Sequence, residues 1–167
     1  KAISLNPEDF NALNNLGLTY RDNGNYDDAI ASYKKALLIE PKNSDALNNL
    51  GVIYRDNGNF DDAIASYKKA LLIEPKNSDA FNNLGVAYKE IGHPDEAIQY
   101  YKKAIKINPD DFDTHNNLGI VFSELGQLDD AIKSYENALK INPKCESAYN
   151  NIAIILTKLN RLEDAFK

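Results

Sequence analysis

The sequence predicts an all-α solenoid made of stacked pairs of antiparallel helices, and three observations lead to this fold class. The chain repeats with a period of 34 residues, each half of a period shows the apolar spacing of a helix, and glycine or proline follows each half. The period is marked by Pro7, Pro41, Pro75, Pro109 and Pro143, by Gly17, Gly51, Gly85 and Gly119, by Ala29, Ala63, Ala97, Ala131 and Ala165, and by Tyr33, Tyr67, Tyr101 and Tyr135. A period between about 20 and 50 residues is typical of supersecondary units that stack to bury a continuous core.

The first half of each period is expected to form a helix. In the second full period, Leu47, Leu50, Gly51 and Tyr54 follow the i, i+3, i+4, i+7 spacing of one helical face. Gly58 should end this helix, because glycine adopts the left-handed conformation at a helix C-terminus at little cost.

The second half of each period should form a second helix. We expect Asn59 to cap its N-terminus, with the carboxylates of Asp61 and Asp62 in its first turn, where the helix dipole favours negative charge. Pro75 should end it, because proline has no N–H group to donate and disfavours a helical conformation in the preceding residue. Two helices of this length cannot bury their apolar faces alone, so neighbouring periods must pack together.

Eight residues at this spacing resemble the tetratricopeptide repeat (TPR), and the resemblance covers the whole chain. They are Leu50, Gly51, Tyr54, Gly58, Ala63, Tyr67, Ala70 and Pro75. Three positions depart from the pattern: His115 replaces a large apolar residue, Pro94 stands where Tyr26 and Phe60 occur, and Asn160 replaces the glycine between the helices. The resemblance implies a right-handed TPR superhelix whose concave surface is lined by the first helix of each repeat.

The chain is expected to be a single TPR array that begins and ends inside a repeat. Residues 1–9 match the tail of a truncated repeat, residues 10–43, 44–77, 78–111 and 112–145 are full repeats, and residues 146–167 form a partial repeat. We therefore expect a fragment of a longer array whose native N-terminus is missing.

Composition and charge exclude several classes of partner. The net charge is −6 and the pI about 4.9, which argues against nucleic acid because no basic stripe is present to displace counterions. No run of 18 apolar residues is found, so neither a membrane span nor a membrane partner is expected. No signal peptide is visible, which favours a cytoplasmic location. The single cysteine, Cys145, cannot form an internal disulfide and is expected to be a surface thiol.

No arrangement of residues in the sequence favours catalysis, a cofactor or a metal site. The histidines, His93 and His115, occupy unrelated repeat positions, and no serine or cysteine has a recognisable base partner. His115 is expected to be packed at the edge of the core. Aspartate pairs such as Asp61 and Asp62 are interpreted as helix-dipole residues and not as a catalytic carboxylate pair. We therefore expect a chain that is not an enzyme and binds no cofactor.

An Asn-Asn pair stands in the first helix of all five repeats. Asparagine is a mediocre helix former, because its side chain competes for backbone hydrogen bonds. At about 100° per residue, the second asparagine of each pair points away from the core face, next to a stripe of aliphatic residues. These second asparagines are Asn15, Asn49, Asn83, Asn117 and Asn151, and the stripe is Leu18, Val52, Val86 and Ile120, with Ile154 in the last repeat.

Amides interleaved with apolar residues predict a groove for an extended peptide. An amide has both donors and an acceptor, so it can pair with the N–H and C=O of one peptide unit without reading side chains. Acidic residues at two positions on the same face predict a preference for a ligand with basic residues. They are Asp45, Asp79, Asp113, Asp22, Asp56, Glu90 and Glu124.

Other interpretations stay open at this point. The asparagines could instead cap or bridge within the array, and for the first of each pair, such as Asn48, the two interpretations are equally favoured. A TPR clamp for a C-terminal carboxylate is disfavoured, because the positions that need cations carry Asn or Asp, while Arg21, Arg55 and Lys89 lie one position away.

Two further function classes follow from the ladder and from the ends of the chain. The asparagine ladder is similar to the TPR superhelix of O-GlcNAc transferases, which implies the targeting arm of a glycosyltransferase whose catalytic domain is absent here. The truncated ends predict exposed apolar surface and head-to-tail self-association, as in a structural scaffold. At the C-terminal end, Tyr149, Ile152, Leu156 and Leu159 should lack most of their partner helix.

Overall fold

A computed structural model describes residues 9–159 of the 167-residue chain, and these residues form nine α-helices. The helices are α1 (Phe10–Asp22), α2 (Tyr26–Ile39), α3 (Ser44–Asp56), α4 (Phe60–Ile73), α5 (Ser78–Glu90), α6 (Pro94–Ile107), α7 (Phe112–Glu124), α8 (Leu128–Ile141) and α9 (Glu146–Lys158). No strand occurs among these residues, so the all-α class is confirmed. The predictions for residues 1–8, Asn160, Ala165 and Phe166 lie outside the described residues.

The chain divides into two compact units, residues 1–83 and residues 84–167. Within the first unit α1 packs on α2, α2 on α3, and α3 on α4. Within the second unit α6 packs on α7, α7 on α8, and α9 contacts both α8 and α7. Within each unit, these consecutive helices therefore pack on one another, as expected of antiparallel helices joined by short turns.

The turn between the two helices of a repeat depends on one glycine. Gly58 has φ +79°, in the left-handed region that favours glycine. Its N–H group donates to the carbonyl of Arg55 at 2.9 Å, and the N–H of Asn59 donates to the carbonyl of Tyr54 at 2.7 Å. These bonds pair carbonyls at the end of α3 that helical bonding leaves free, so the prediction that Gly58 ends this helix is confirmed.

The prediction that Asn59 caps the second helix is confirmed for its position, but the cap involves no side-chain bond. Asn59 occupies the N-cap position of α4, but its side chain makes no capping hydrogen bond. Side-chain capping instead occurs at the first helices, where the Asn43 carboxamide oxygen accepts from the N–H of Ala46 at 2.9 Å. The backbone angles of the two cap residues differ, with ψ 105° at Asn43 and 71° at Asn59.

We expect Asn43→Ala to destabilise the chain by about 1 kcal/mol, because the N–H of Ala46 would lose its capping acceptor. Asn59→Ala serves as the matched control and should cost much less, since it removes no capping bond. Urea unfolding of the two variants, followed by circular dichroism, measures both effects. Equal losses of stability in the two variants would contradict the assignment of the cap to Asn43.

The core of each repeat contains a tyrosine ring packed on a glycine. Tyr67 in α4 is fully buried, and a Cβ atom added to Gly51 in α3 would lie 2.6 Å from its ring. Such a distance is far below van der Waals contact, so the two helices approach closely only because Gly51 has no side chain. In the other full repeats the equivalent tyrosines are also buried, and each ring packs against the glycine of its own repeat.

Two side chains of the second unit have the environment expected of core residues. His115 is buried, and its Nε2 lies 3.1 Å from the carbonyl oxygen of Pro109, so the prediction that it is packed is confirmed. The prediction of a surface thiol is wrong, because Cys145 is only 7% exposed and belongs to the hydrophobic cluster that contains Ala138 and Ala148. A small apolar side chain suits the position, since the turn before α9 lies directly on this cluster.

The apolar residues of α9 differ in their exposure. Tyr149 is 55% exposed and Leu159 38% exposed, as expected for a helix at the end of the array. Leu156 is buried and Ile152 half-buried, so the expectation that these two residues contribute exposed apolar surface is wrong. The reason lies in the second unit itself, where Ile152 packs on the same cluster as Cys145.

Candidate functional site

The predicted site lies on the first helices, on the face that we call the amide face. It is defined by the second asparagine of each repeat and the aliphatic residue three positions later. Asn15 is exposed, whereas Asn49, Asn83, Asn117 and Asn151 are half-buried. The aliphatic residues Leu18, Val52, Val86 and Ile120 are half-buried, and Ile154 is exposed. Val86 and Ile120 of the predicted site pack against the hydrophobic cluster of the second unit, so the prediction that the whole aliphatic stripe points away from the core is wrong for these two residues. The acidic residues Asp45, Asp79, Asp113, Asp22, Glu90 and Glu124 are exposed, and Asp56 is half-buried.

One amide of this face bridges two repeats in the first unit. The Nδ2 group of Asn83 donates to Oδ1 of Asn48 at 3.0 Å. The first asparagine of a pair therefore accepts a bond from the second asparagine of the next repeat, as the bridging interpretation predicts. The equivalent bond one repeat earlier is not made, because Oδ1 of Asn14 is buried without a hydrogen-bond partner among the described residues.

The side chain of Asn49 instead lies near the hydroxyl of Tyr33 in the preceding repeat. Burial raises the pKa of Tyr33, while the Asn49 amide and the Arg21 guanidinium favour the ionised phenol and offset part of the rise. The hydroxyl has no partner within good hydrogen-bond geometry in residues 9–159, so the contact with Asn49 is close but imperfectly aligned. Asn49 thus retains hydrogen-bonding capacity that a ligand could use.

The acidic character of the amide face is partly neutralised in the first unit. Arg21 Nε donates to Asp56 Oδ2 at 2.9 Å, and Arg55 Nη2 donates to the other oxygen, Oδ1, at 2.9 Å. Asp56 therefore has two guanidinium partners, one from the preceding repeat and one from its own. The sequence placed these charges at adjacent positions but did not predict that they would pair across repeats.

The second unit uses its first asparagine in a similar way. Asn116 is buried, and its Oδ1 accepts a long hydrogen bond of 3.4 Å from the Ser147 hydroxyl at the start of α9. In the first turn of α7, three residues before Asn116, desolvation raises the pKa of the Asp113 carboxyl, and the charge of Asp111 raises it further. A cation close to Asp113 would therefore relieve part of this electrostatic cost.

The sequence interpretation missed a second surface feature. A groove of roughly 660 Å³ opens in the first unit, where Leu47, Leu50 and Tyr54 form part of its lining. These are the core-face residues of α3, so the groove lies on the side of this helix opposite to the amide face. One signal in the sequence could have indicated it, namely that Leu38 and Leu72 recur at a position where later repeats carry lysine.

Two kinds of site find no support in the described part of the chain. Within residues 9–159, no three side chains of the metal-binding types come together as a possible metal site. None of the helices described combines the length and the hydrophobicity that a membrane span requires.

Comparison with known proteins bears on family membership. Models of the tetratricopeptide repeat match residues 1–46 and 14–74, and a second such model matches residues 78–111 and 112–145. No protein with curated annotation is similar enough in sequence to count as a match.

Three solved structures illustrate the structural likeness. The crystal structure of MamA is 33% identical with a TM-score of 0.80, and the match covers 90% of this chain and 88% of that one. PilF of Pseudomonas aeruginosa is 28% identical with a TM-score of 0.84, covering 91% of this chain and 69% of PilF. YrrB, described as a TPR protein with an unusual peptide-binding site, is 24% identical with a TM-score of 0.70. The match covers 98% of this chain and 84% of YrrB, and at this identity the likeness shows the fold alone.

The matched repeats span most of the chain, and the helix pairs have the bounds and the glycine–tyrosine contacts that the 34-residue pattern requires. The chain belongs to the tetratricopeptide repeat family.

Proposed function

We propose that the chain is a protein–protein interaction module that binds an extended peptide segment along the amide face. The observation that carries the proposal is the recurrence, in repeat after repeat, of an asparagine and an aliphatic residue that both keep part of their surface exposed on the first helix. A face that served only solubility would carry charged residues at these positions.

The bridging bonds leave capacity for a ligand. The bond from Asn83 to Asn48 uses one of the two N–H groups of the Asn83 amide, so the second N–H and the carbonyl oxygen can still pair with a peptide backbone. The bridge also fixes the orientation of Asn83, which reduces the conformational entropy that binding would cost.

The charges of the face favour a ligand with basic residues. Asp22, Asp45 and Asp79 are exposed on the first unit, and Asp113, whose pKa is raised by desolvation, lies on the second. Asp56 contributes less, because Arg21 and Arg55 neutralise it. The preference for basic residues therefore depends on the exposed carboxylates of the face and less on Asp56.

We expect Asn49→Ala to weaken peptide binding by about 0.5–1.5 kcal/mol, because one amide–backbone hydrogen bond is lost. The probe is a fluorescent peptide of about twelve residues composed of Lys, Val and Ala, which is long enough to span several repeats when extended. Fluorescence anisotropy measures its affinity. Stability should be preserved, since alanine is the better helix former.

Two further peptides test how the ligand is held. A scrambled peptide of the same composition should bind equally well, whereas a peptide with alternate backbone amides N-methylated should bind much more weakly, since amides that pair with a backbone need its N–H groups. Replacing the lysines of the Lys, Val and Ala probe peptide by glutamates should also abolish its binding to the chain. Equal affinity of the N-methylated peptide, or undiminished binding by an Asn49→Ala/Asn83→Ala variant, would falsify the proposed role of the amides.

A further inference from the structure

The groove in the first unit has a floor from one helix and walls from two others. Its floor is Leu47, Leu50 and Tyr54 of α3, all of which are buried, and its walls come from α2 and α4. Both wall helices pack on α3. The floor residues follow the i, i+3, i+7 spacing of one helical face, which is the spacing that a helix laid along the groove would need to meet.

The walls of the groove expose large apolar side chains. Leu38 on α2 is 81% exposed and Leu72 on α4 is 83% exposed, and Ile73 beside it is also exposed. Such contiguous apolar surface, flanked by polar residues, is typical of protein interaction sites. A volume of roughly 660 Å³ falls within the range of about 300–1,000 Å³ that ligand pockets have.

Comparison of the repeats shows that the fold does not require this apolar surface. The position of Leu38 and Leu72 is Lys106 in the third full repeat and Lys140 in the fourth. Both lysines are exposed on helices with the same bounds within their repeats. The leucines therefore serve something other than the packing of the repeat.

The charges at the groove indicate the chemistry of its occupant. Lys34 and Lys69 are exposed and line it, and Asp62 is the acidic residue among its lining. The Lys34 ammonium lies over the Tyr54 ring, 5.7 Å from its centroid and within cation–π range, and the Lys34 side chain is exposed. The groove therefore presents apolar surface next to exposed ammonium groups. A partner helix with an apolar stripe flanked by carboxylates would be complementary to it.

We infer that this groove is a second interaction site, which binds an amphipathic helix of a partner protein with leucine-type residues on one stripe and acidic residues beside it. The site is distinct from the amide face, because Asn49 and Val52 do not line it. The two sites lie on opposite sides of α3, so a partner helix in the groove leaves the amide face open for an extended peptide.

The experiment uses the whole chain and a synthetic helical peptide of about sixteen residues, long enough to form a helix when bound. Its leucines are spaced i, i+3, i+4, i+7 and its flanking residues are glutamates. Fluorescence anisotropy should show that Leu38→Lys/Leu72→Lys weakens its binding at least tenfold, since both leucines lose their apolar contact. Lysine occupies the same position in two other repeats, so this variant should fold, which circular dichroism checks.

Three controls make the outcome decisive. Ile107 is an exposed apolar residue outside the groove, so the Ile107→Lys variant should bind the helical peptide as tightly as the original chain does. The Asn49→Ala variant should also bind it with unchanged affinity. A peptide with lysines in place of the glutamates should bind at least tenfold more weakly. No measurable binding of the acidic peptide, equal binding of the lysine peptide, or unchanged binding by the double variant overturns the inference. Dimerisation in sedimentation velocity that the double variant abolishes also overturns it, because a second copy would then occupy the groove.

Discussion

Gly51→Ala is expected to destabilise the chain by about 1–3 kcal/mol, although alanine is intrinsically the better helix former. The new Cβ would lie 2.6 Å from the buried ring of Tyr67, and a ring at the centre of the repeat cannot move without shifting α3 against α4. Overpacking of a dense core costs more than the gain of up to about 1 kcal/mol that removing a helical glycine supplies. Urea unfolding measures the difference.

The last repeat provides a control for this prediction, because there alanine is expected to be the more stable residue at the glycine position. Ala153 takes the glycine position in α9 and is exposed, so no ring covers it. Ala153→Gly should therefore destabilise by about 0.5–1 kcal/mol through helix propensity alone. A double-mutant cycle of Gly51→Ala with Tyr67→Leu should show a favourable coupling energy, because the smaller side chain makes room for the methyl group. Additive effects would contradict the steric explanation.

The stability of the chain should fall steeply at alkaline pH because of Tyr135. Burial, together with the smaller effect of the nearby Glu124 carboxylate, raises the pKa of this phenol to about 12. An unfolded tyrosine ionises near pH 10, so the unfolded state loses its proton first. The stabilisation is complete below about pH 10 and is lost as pH rises towards 12, for a total of up to roughly 3 kcal/mol.

Tyr135→Phe isolates this contribution, because phenylalanine keeps the ring on Gly119 and cannot ionise. We expect the unfolding free energy of the variant to decrease less between pH 9 and pH 11.5 than that of the original chain. Some decrease should remain, since burial also raises the pKa of Tyr33. Identical pH profiles for the two proteins would show that Tyr135 titrates at its ordinary pKa.

The helices could be predicted from the sequence because their signals are local. Apolar spacing, the glycine after α3 and the acidic first turn of α4 each depend on residues within one repeat. The sequence also located the N-cap of α4 at Asn59, but it did not show that the side chain would make no capping bond, because capping depends on backbone angles that residue type alone does not determine.

The contacts of the candidate sites were harder to predict because they join different repeats. A helical projection shows which way Asn83 and Asp56 point, but not that Asn48 and Arg21 of the preceding repeat come within hydrogen-bond distance. Those distances depend on how one helix pair is displaced against the next. The groove between α2 and α4 was missed for the same reason, although the exchange of leucine for lysine at Leu72 and Lys106 was a usable signal.

The glycine–tyrosine contact has a consequence for how the gene can change. Both partners belong to one repeat, so each ring stays on its own glycine when a 34-residue segment is copied or removed as a whole. Residues 12–43 and 46–77 differ only at Leu18/Val52, Thr19/Ile53 and Tyr26/Phe60, and such similar coding segments are substrates for unequal recombination. A crossover between them would change the number of repeats without changing the core of any repeat. Array length is therefore a variable that evolution can alter in whole units.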